Sequence, residues 1–312
     1  MSINNKKFST IFIGTPDFGV PVLEVLIKKY DVRAVITQPD KKIGRKQTLT
    51  PPPIKQIAQK YDIEVWQPEK IKDIKEKIKN LDLDFGVVAA YAQIIPKEIL
   101  DMLKFGFLNI HASLLPKYRG ASCIQASVLA GDNKTGVTIM KMDEKLDTGS
   151  ILAQKSLKIE ENDTAGTLFS KLSILGKDLL INTLEKYLDE KIKPIQQNNK
   201  QASYVGMLKK EDGQIDWQKD ALYVERFVRA MHPWPGAFTR LDRKILKITK
   251  VNKIININER KAGEIFIYKN NLAIQCGEGA LVVDKLQLEG KKEISAKDFV
   301  LGYKDKIGTV LK

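Results

Sequence analysis

Hydrophobic residues in the first 190 positions form short continuous runs, separated by longer stretches in which they recur every three or four residues. The short runs predict buried strands at 8–14, 32–37, 84–90, 106–112 and 136–142. The wider spacing predicts helices at 17–29, 69–80, 120–130 and 164–189. Strands that alternate with helices in this way are typical of a parallel sheet covered by helices on both faces.

A different pattern follows residue 208. One helix is predicted at 219–230, and short strands are predicted at 244–251, 263–268, 271–276 and 279–289. Many short strands broken by Gly, Asn and Lys favour a small β-barrel. The intervening residues are polar and lack periodicity, which indicates a linker. We therefore predict an α/β domain at 1–190, a linker at 191–208 and a barrel domain at 209–312.

The composition adds a charge argument. The net charge is +14, which favours a polyanionic partner such as nucleic acid, although a Lys-rich proteome would also produce basic proteins. The only cysteines, Cys123 and Cys276, form no CxxC pair and are expected to be reduced core thiols. With two histidines besides, no dedicated metal site is expected. The chain contains no run of 18 apolar residues and no apolar leader, so we expect a cytoplasmic protein without membrane contact.

The turn after the first predicted strand, GTPDFG at 14–19, does not fit a nucleotide cofactor. The dinucleotide fingerprint requires Gly where this chain has Pro16. The phosphate-binding loop requires Lys and then Ser or Thr where this chain has Val20 and Pro21. A nicotinamide cofactor and ATP are therefore not expected.

Candidate chemistry is concentrated in NIHASLLPKYRG, residues 109–120. Asn109 and His111 are two positions apart on a predicted strand, so they share one face at its carboxyl end. We expect the next strand to bring the acidic loop at 142–150, with Asp147, to the same sheet edge. An Asn, a His and an Asp could stabilise an oxyanion, move a proton and orient the imidazole during acyl transfer to an amine. Alternatively, Asn109 and His111 could simply close the end of the strand.

Two further stretches carry predictions. The segment 38–55 is rich in Lys and Arg, contains Gly44, and ends in three prolines that we expect to exclude a helix and stiffen its exit. Such a basic loop suits phosphate contacts, although it could also be an ordinary solvated loop. In MHPWPGAF at 231–238, His232 is expected to be structural and Trp234 to pack between the helix at 219–230 and the barrel.

NIHASLLPKYRG together with DTGSIL at 147–152 resembles the signature of formyltransferases that use 10-formyltetrahydrofolate. IGTPDFGVPVLEVL at 13–26, the 38–55 segment and VRAMHPWPGAF at 228–238 resemble the branch of that family that acts on transfer RNA. The resemblance covers nearly the whole chain. It implies a Rossmann-like formyltransferase domain followed by an OB-like barrel, and formylation of the methionyl amino group of initiator methionyl-tRNA.

The resemblance also implies roles for individual residues. It implies catalytic roles for Asn109, His111 and Asp147. It implies folate contacts for Ser113, Leu114, Leu115, Pro116, Tyr91, Gln93 and Ile94, and tRNA contacts for Lys41, Lys42, Arg45 and Lys46. No metal is implied, and we expect a monomer, although the sequence does not fix the oligomeric state.

Two other functions stay open. The chain could be a sister formyltransferase that acts on a small amine, such as a nucleotide-sugar amine or glycinamide ribotide. It could also be a non-catalytic RNA-binding module that kept the fold. The basic 38–55 segment and the basic C-terminal domain favour tRNA over a small amine, because a small substrate needs neither.

Overall fold

The computed structural model describes residues 7–44 and 47–312, and they divide into two compact units. The first unit contains residues up to Cys123, together with 134–158 and 169–205. The second contains 124–133, 159–168 and 206–312. The polar segment 191–205, which has the composition of a linker, thus groups with the first unit.

The first 205 residues contain eleven strands among those described. They are β1 (Ser9–Gly14), β2 (Asp31–Ile36), β3 (Lys41–Ile43), β4 (Thr48–Thr50), β5 (Glu64–Trp66), β6 (Phe85–Ala89), β7 (Phe107–His111), β8 (Arg119–Gly120), β9 (Lys134–Lys141), β10 (Ser150–Lys158) and β11 (Tyr204–Val205). The α-helices are α1 (Val20–Lys29), α2 (Pro53–Lys60), α3 (Lys75–Lys79), α4 (Lys97–Leu100), α5 (Cys123–Ala130) and α6 (Ala165–Leu188). Short 3-10 helices lie at Asp17–Gly19, Ile71–Ile74 and Asn199–Gln201.

Seven of these strands form one sheet in the order β10-β9-β7-β6-β1-β2-β5. The five strands from β7 to β5 are parallel. Strand β9 is antiparallel to β7, and β10 is antiparallel to β9. The central strand β1 is buried at every position, which explains its uninterrupted hydrophobic run. One core cluster of this unit includes Ile11, Ile13, Trp66, Ile99 and Phe107.

The segment 38–55 is more regular than the sequence suggests. Strands β3 and β4 pair as an antiparallel hairpin, with Lys41 opposite Thr50 and Lys42 opposite Leu49. The expectation that the three prolines exclude a helix is wrong for the last of them, because α2 begins at Pro53. Proline is compatible with the first turn of a helix, where its missing N–H has no intrahelical partner.

The second unit contains most of α5 and, after residue 206, an antiparallel sheet with two helices, α7 (Ala221–Met231) and α8 (Ala296–Gly302). Its strands are β12 (Phe238–Leu241), β13 (Lys244–Ile255), β14 (Ile265–Tyr268), β15 (Asn271–Gln275), β16 (Ala280–Leu288) and β17 (Ile294–Ser295). The order is β12-β13-β16-β15-β14, and β17 pairs with β16. Short 3-10 helices lie at Lys210–Gly213 and Lys304–Lys306. Trp234 is 54% exposed, so the expectation that it packs inside this unit is wrong.

Candidate active site

Strand β7 ends at the two residues singled out by their spacing. Asn109 and His111 lie on the same face because side chains alternate along a strand. His111 is only 6% exposed, whereas Asn109 is partly exposed. No hydrogen bond ties the Asn109 amide to another described residue, so both its oxygen and its nitrogen are free for a ligand.

His111 contacts protein groups through both ring nitrogens. Its Nε2 lies 2.9 Å from the Tyr118 carbonyl oxygen, and its Nδ1 lies 3.6 Å from Oδ2 of Asp147. A carbonyl oxygen only accepts hydrogen bonds, so Nε2 carries a proton and donates a hydrogen bond to the Tyr118 carbonyl. Nδ1 is therefore the nitrogen that gains or loses a proton, and it faces the Asp147 carboxylate.

Asp147 reaches this position in a left-handed backbone conformation, with φ of 52°. Asp tolerates that conformation better than most residues because its short polar side chain makes local hydrogen bonds. The Gly120 amide donates to Asp147 Oδ2 at 2.8 Å. The carboxylate that faces His111 is therefore held by a backbone donor.

The expected route of Asp147 to this site is wrong. We expected the strand after β7 to deliver the acidic loop to the same sheet edge. However, β9 is antiparallel to β7, with Lys141 opposite Leu108 and Thr138 opposite His111. The loop after Lys141 thus begins near the amino end of β7, beside Phe107 and Leu108, and Asp147 must return along the sheet to reach His111.

Several groups act on the His111 imidazole and together raise its pKa to about 9. Burial has the largest single effect and lowers the pKa, because an apolar environment disfavours the charged ring. The electrostatic interaction and hydrogen bond with Cys123, the Asp147 carboxylate and the Tyr118 carbonyl raise the pKa of His111 and outweigh burial. Cys123 was expected to be only a core thiol. It is buried and free, and it contacts the candidate catalytic residue.

The predicted folate loop, Ser113 to Pro116, is held by hydrogen bonds. Ser113 Oγ donates to the Lys117 carbonyl at 2.6 Å, and Ser113 and Leu115 are buried. Leu114 is half-buried and packs against Gly136 of β9, where any side chain would collide with it. Pro116 is also half-buried. Leu114 and Pro116 therefore present the accessible part of this loop.

Two polar residues of the neighbouring strands fix that loop, and neither role was predicted from the sequence. Thr138 Oγ1 donates to the Ser113 carbonyl at 2.6 Å and accepts from the Leu115 amide at 3.1 Å. Gln154 Nε2 donates to the Leu115 carbonyl at 2.8 Å and to Thr138 Oγ1 at 2.9 Å. Both residues lie within strands that had no motif to mark them.

The three predicted folate contacts in the strip at 91–96 differ in their exposure. Tyr91 is 2% exposed and belongs to the core cluster, and burial raises its pKa to about 12. The Gln93 amide binds backbone, accepting from Ile71 N and donating to the Glu69 carbonyl. Ile94, by contrast, is 77% exposed. Of the three side chains, Ile94 is the one that presents a large apolar surface.

Of the predicted tRNA-binding residues, Lys41 and Lys42 lie in strand β3 of the β3–β4 hairpin. Lys41 and Lys42 are exposed, as phosphate contacts require. Arg45 and Lys46 lie outside the described residues. An ion pair joins the two ends of this segment: Lys55 Nζ donates to both carboxylate oxygens of Asp40, at 2.9 and 2.8 Å.

Among the described residues, no group of three or more His, Cys, Asp or Glu side chains is arranged to hold a metal ion. In the same part of the chain, no helix combines the length and the apolar character that crossing a bilayer requires.

Family comparisons fit this geometry. The model for Formyl transferase matches residues 6–184, and the model for Formyl transferase, C-terminal domain, matches residues 207–304. A solved structure of HypX from Aquifex aeolicus in complex with tetrahydrofolic acid shares the fold with TM-score 0.63 at 16% identity. It is matched over 96% of this chain and 48% of that one, so this chain spans about half its length. An N-formyltransferase from Helicobacter canadensis, solved with folinic acid and dTDP-3-aminofucose, gives TM-score 0.67 at 20% identity over 88% and 99% of the two chains.

Sequence relatives are much more similar. The methionyl-tRNA formyltransferase of Caldicellulosiruptor saccharolyticus is 44% identical over 309 residues, covering 96% of this chain and 99% of the relative. That of Enterococcus faecalis is 44% identical over 297 residues, covering 94% and 95%. That of Staphylococcus aureus strain MW2 is 41% identical over 302 residues, again covering 94% and 95%. The chain therefore belongs to the methionyl-tRNA formyltransferase family.

Proposed function

We propose that this protein transfers the formyl group of 10-formyltetrahydrofolate to the free amino group of initiator methionyl-tRNA. One observation supports the chemistry above all others: His111 faces the Asp147 carboxylate at the end of β7, beside an Asn109 amide that has no partner among the described residues. Family membership supports the substrate, since the full-length relatives carry the name methionyl-tRNA formyltransferase.

In the proposed reaction the uncharged amine attacks the formyl carbon directly, so no enzyme nucleophile is needed. Asn109 donates a hydrogen bond to the oxyanion that forms. With a pKa near 9, His111 enters the reaction as imidazolium. It gives its Nδ1 proton to the departing N10 nitrogen and then takes the surplus proton from the former amine. The C–N10 bond breaks as the new amide forms, and His111 ends the cycle protonated.

Asp147 has two parts in this scheme. Its carboxylate lies 3.6 Å from Nδ1, near enough to favour this ring orientation but beyond hydrogen-bond distance, so the Nδ1 proton stays free to move. Its charge favours the imidazolium that starts the reaction. We place the formyl donor against Leu114 and Pro116 of the loop that follows His111, with Ile94 as a further apolar contact. Tyr91 and Gln93 would support that site from within, since their side chains are engaged in the core and with backbone.

The tRNA must bind mainly through its backbone, because the catalytic pocket accepts only the aminoacyl end. The net charge of +14 supports a polyanionic substrate. We propose that the exposed Lys41 and Lys42, together with Arg45 and Lys46 and a C-terminal module at 209–312, make those phosphate contacts.

The test is formyl incorporation into charged initiator tRNA, measured beside small amines such as a nucleotide-sugar amine. Asn109→Ala and His111→Ala should each lower turnover by about 100-fold or more. His232→Ala, which changes the only other histidine, is the matched control and should keep wild-type turnover. Near-wild-type activity of both active-site variants would exclude the assignment.

Two further outcomes would redirect the proposal. Faster formylation of a small amine than of charged tRNA would favour a sister formyltransferase. Activity that disappears with a chelator and returns with zinc would exclude a reaction carried by these residues without a metal.

A further inference from the structure

Arg119 is a buried cation whose partners are all neutral. Its side chain is among the largest in the protein that are fully buried, at 1% exposure. The guanidinium donates to Gln197 Oε1 at 3.1 and 2.8 Å, to Asn199 Oδ1 at 2.7 Å and to Tyr204 Oη at 2.8 Å. A fully buried guanidinium needs such acceptors, and here a single polar stretch, residues 195–205, provides them.

The 195–205 segment is also paired to the active-site loops through its backbone. The Arg119 amide donates to the Ser203 carbonyl at 2.8 Å, and β11 runs parallel to β8. At its other end, Ile195 and Ile151 exchange two backbone hydrogen bonds of 2.8 Å each. The segment is therefore fixed at both ends within the first unit.

Gln197 uses both ends of its amide. Its oxygen accepts from Arg119, while its Nε2 donates to the Asp147 carbonyl at 2.9 Å and to the Gly149 carbonyl at 2.7 Å. Because Arg119 only donates, it fixes which end of the amide points toward it. The nitrogen must then point at the loop that carries Asp147.

We propose that Gln197 is a positioning residue that holds Asp147 against His111, with Arg119 as the fixed anchor of its amide. This rests on the role given to Asp147 in the proposed function. Gln197 itself would touch neither substrate and would act through the backbone on both sides of Thr148.

The geometry of the Asp147 loop explains why it needs such a support. The sheet does not deliver Asp147 to His111, since β9 ends beside Leu108. Asp147 also has a left-handed backbone, which few residues adopt freely. Its position is fixed by Gly120 N on the carboxylate and by Gln197 Nε2 on the backbone. Gly120 follows Arg119 directly in the sequence, and Gln197 is hydrogen-bonded to the Arg119 guanidinium.

The experiment compares three variants of the full-length protein. Gln197→Met keeps the volume and removes both amide ends. Gln197→Glu keeps an acceptor for Arg119 but replaces the donor with an oxygen that repels the Asp147 and Gly149 carbonyls. Asn199→Ala is the matched control, because Asn199 also accepts from Arg119 at 2.7 Å but, among the described residues, forms no hydrogen bond with the 147–149 loop.

Two quantities are measured for each variant. The first is the pKa of His111, followed by NMR of protein labelled at histidine, where only two signals arise. The second is kcat and KM for formylation of charged tRNA. In Gln197→Met the pKa of His111 should fall toward its ordinary value of about 6.5, because the carboxylate moves away. In both Gln197 variants kcat should fall by about 10- to 100-fold with KM unchanged, since a displaced catalytic group costs that much.

Asn199→Ala should match wild type in both quantities. The proposal is overturned if Gln197→Met keeps the wild-type pKa of His111, or if Gln197→Glu keeps wild-type kcat. It is equally overturned if Asn199→Ala loses as much kcat as the Gln197 variants, because the effect would then come from burying Arg119. If Gln197→Met does not fold, Gln197→Glu still decides, as it leaves Arg119 paired. The NMR titration needs no substrate, so it tests the positioning even if methionyl-tRNA proves to be the wrong substrate.

Discussion

Replacing Thr138 by Val should loosen the loop that follows His111 and destabilise the protein. The Thr138 hydroxyl is the centre of three hydrogen bonds: it donates to the Ser113 carbonyl and accepts from Leu115 N and from Gln154 Nε2. Val has nearly the same shape, so the change removes these bonds while keeping the packing of a fully buried side chain. The result therefore isolates the hydroxyl.

The magnitude follows from burial. A buried hydrogen bond contributes roughly 1 kcal/mol net, so losing three should cost about 3 kcal/mol. Ser113 and Leu115 are 1% and 3% exposed, so water cannot replace the lost partner without opening the loop. Their unsatisfied backbone groups could add about 1 kcal/mol or more. Thr138→Ser keeps the hydroxyl and loses one methyl group, which should cost only about 1 kcal/mol.

Urea unfolding gives the change in stability, and hydrogen exchange of peptides covering 113–119 gives the change in the loop. The Leu115 amide should exchange faster in Thr138→Val, because its acceptor is gone. Thr135→Val on the same strand is the control: Thr135 is buried, and its hydroxyl has no hydrogen-bond partner among the described residues. If Thr138→Val and Thr135→Val cost the same and leave loop exchange unchanged, the anchoring role is refuted.

Three further predictions concern charge. Cys123→Ala should lower the pKa of His111, since the Cys123 group raises it, and an NMR titration unchanged from wild type would contradict this. Turnover should fall as pH rises through about 9, where His111 loses its starting proton. In Cys123→Ala this fall in turnover should occur at lower pH. A pH–rate profile that stays flat to pH 10 would rule out the acid role of His111. Lys41→Ala with Lys42→Ala should weaken tRNA binding and reduce its dependence on salt by about one ion per lost phosphate contact, measured by binding from 50 to 200 mM salt, while folate affinity stays unchanged.

Much of the fold could be predicted because the hydrophobic pattern reflects burial directly. The predicted α/β fold followed by a small β domain is confirmed, as is the formyltransferase family. The central strands were found within one or two residues because they are buried on both faces. Strand β10 was missed because exposed Lys155 and Ser156 interrupt its hydrophobic run. The β3–β4 hairpin was missed because its short strands carry exposed lysines and threonines.

The Asn109–His111 pair was predictable for a simple reason: a strand repeats every two residues, so the spacing alone fixes a shared face. The contacts that tune His111 were not predictable from the same information. Cys123 lies twelve residues away and carries no motif, and only the fold shows that it reaches the ring. The outcome for Tyr91 and Gln93 is similar, because a resemblance assigns a site to a strip without saying which side chains face inward.

The pairing of His111 with Asp147 was expected for a reason that does not hold, and this gives the 195–205 segment its importance. Had β9 been parallel to β7, the sheet itself would have brought Asp147 to the catalytic edge. Because β9 is antiparallel, the contact depends on donors from outside the sheet. One of these donors, Gln197, is itself held by Arg119, whose buried guanidinium has five N–H donors that need acceptors, and no carboxylate follows it closely in the sequence. The run QQNNKQASY at 196–204 offers many uncharged acceptors, which a solvated linker has no need of. Gln197, Asn199 and Tyr204 of this run accept from Arg119, so part of a polarity that is typical of a linker satisfies a buried guanidinium.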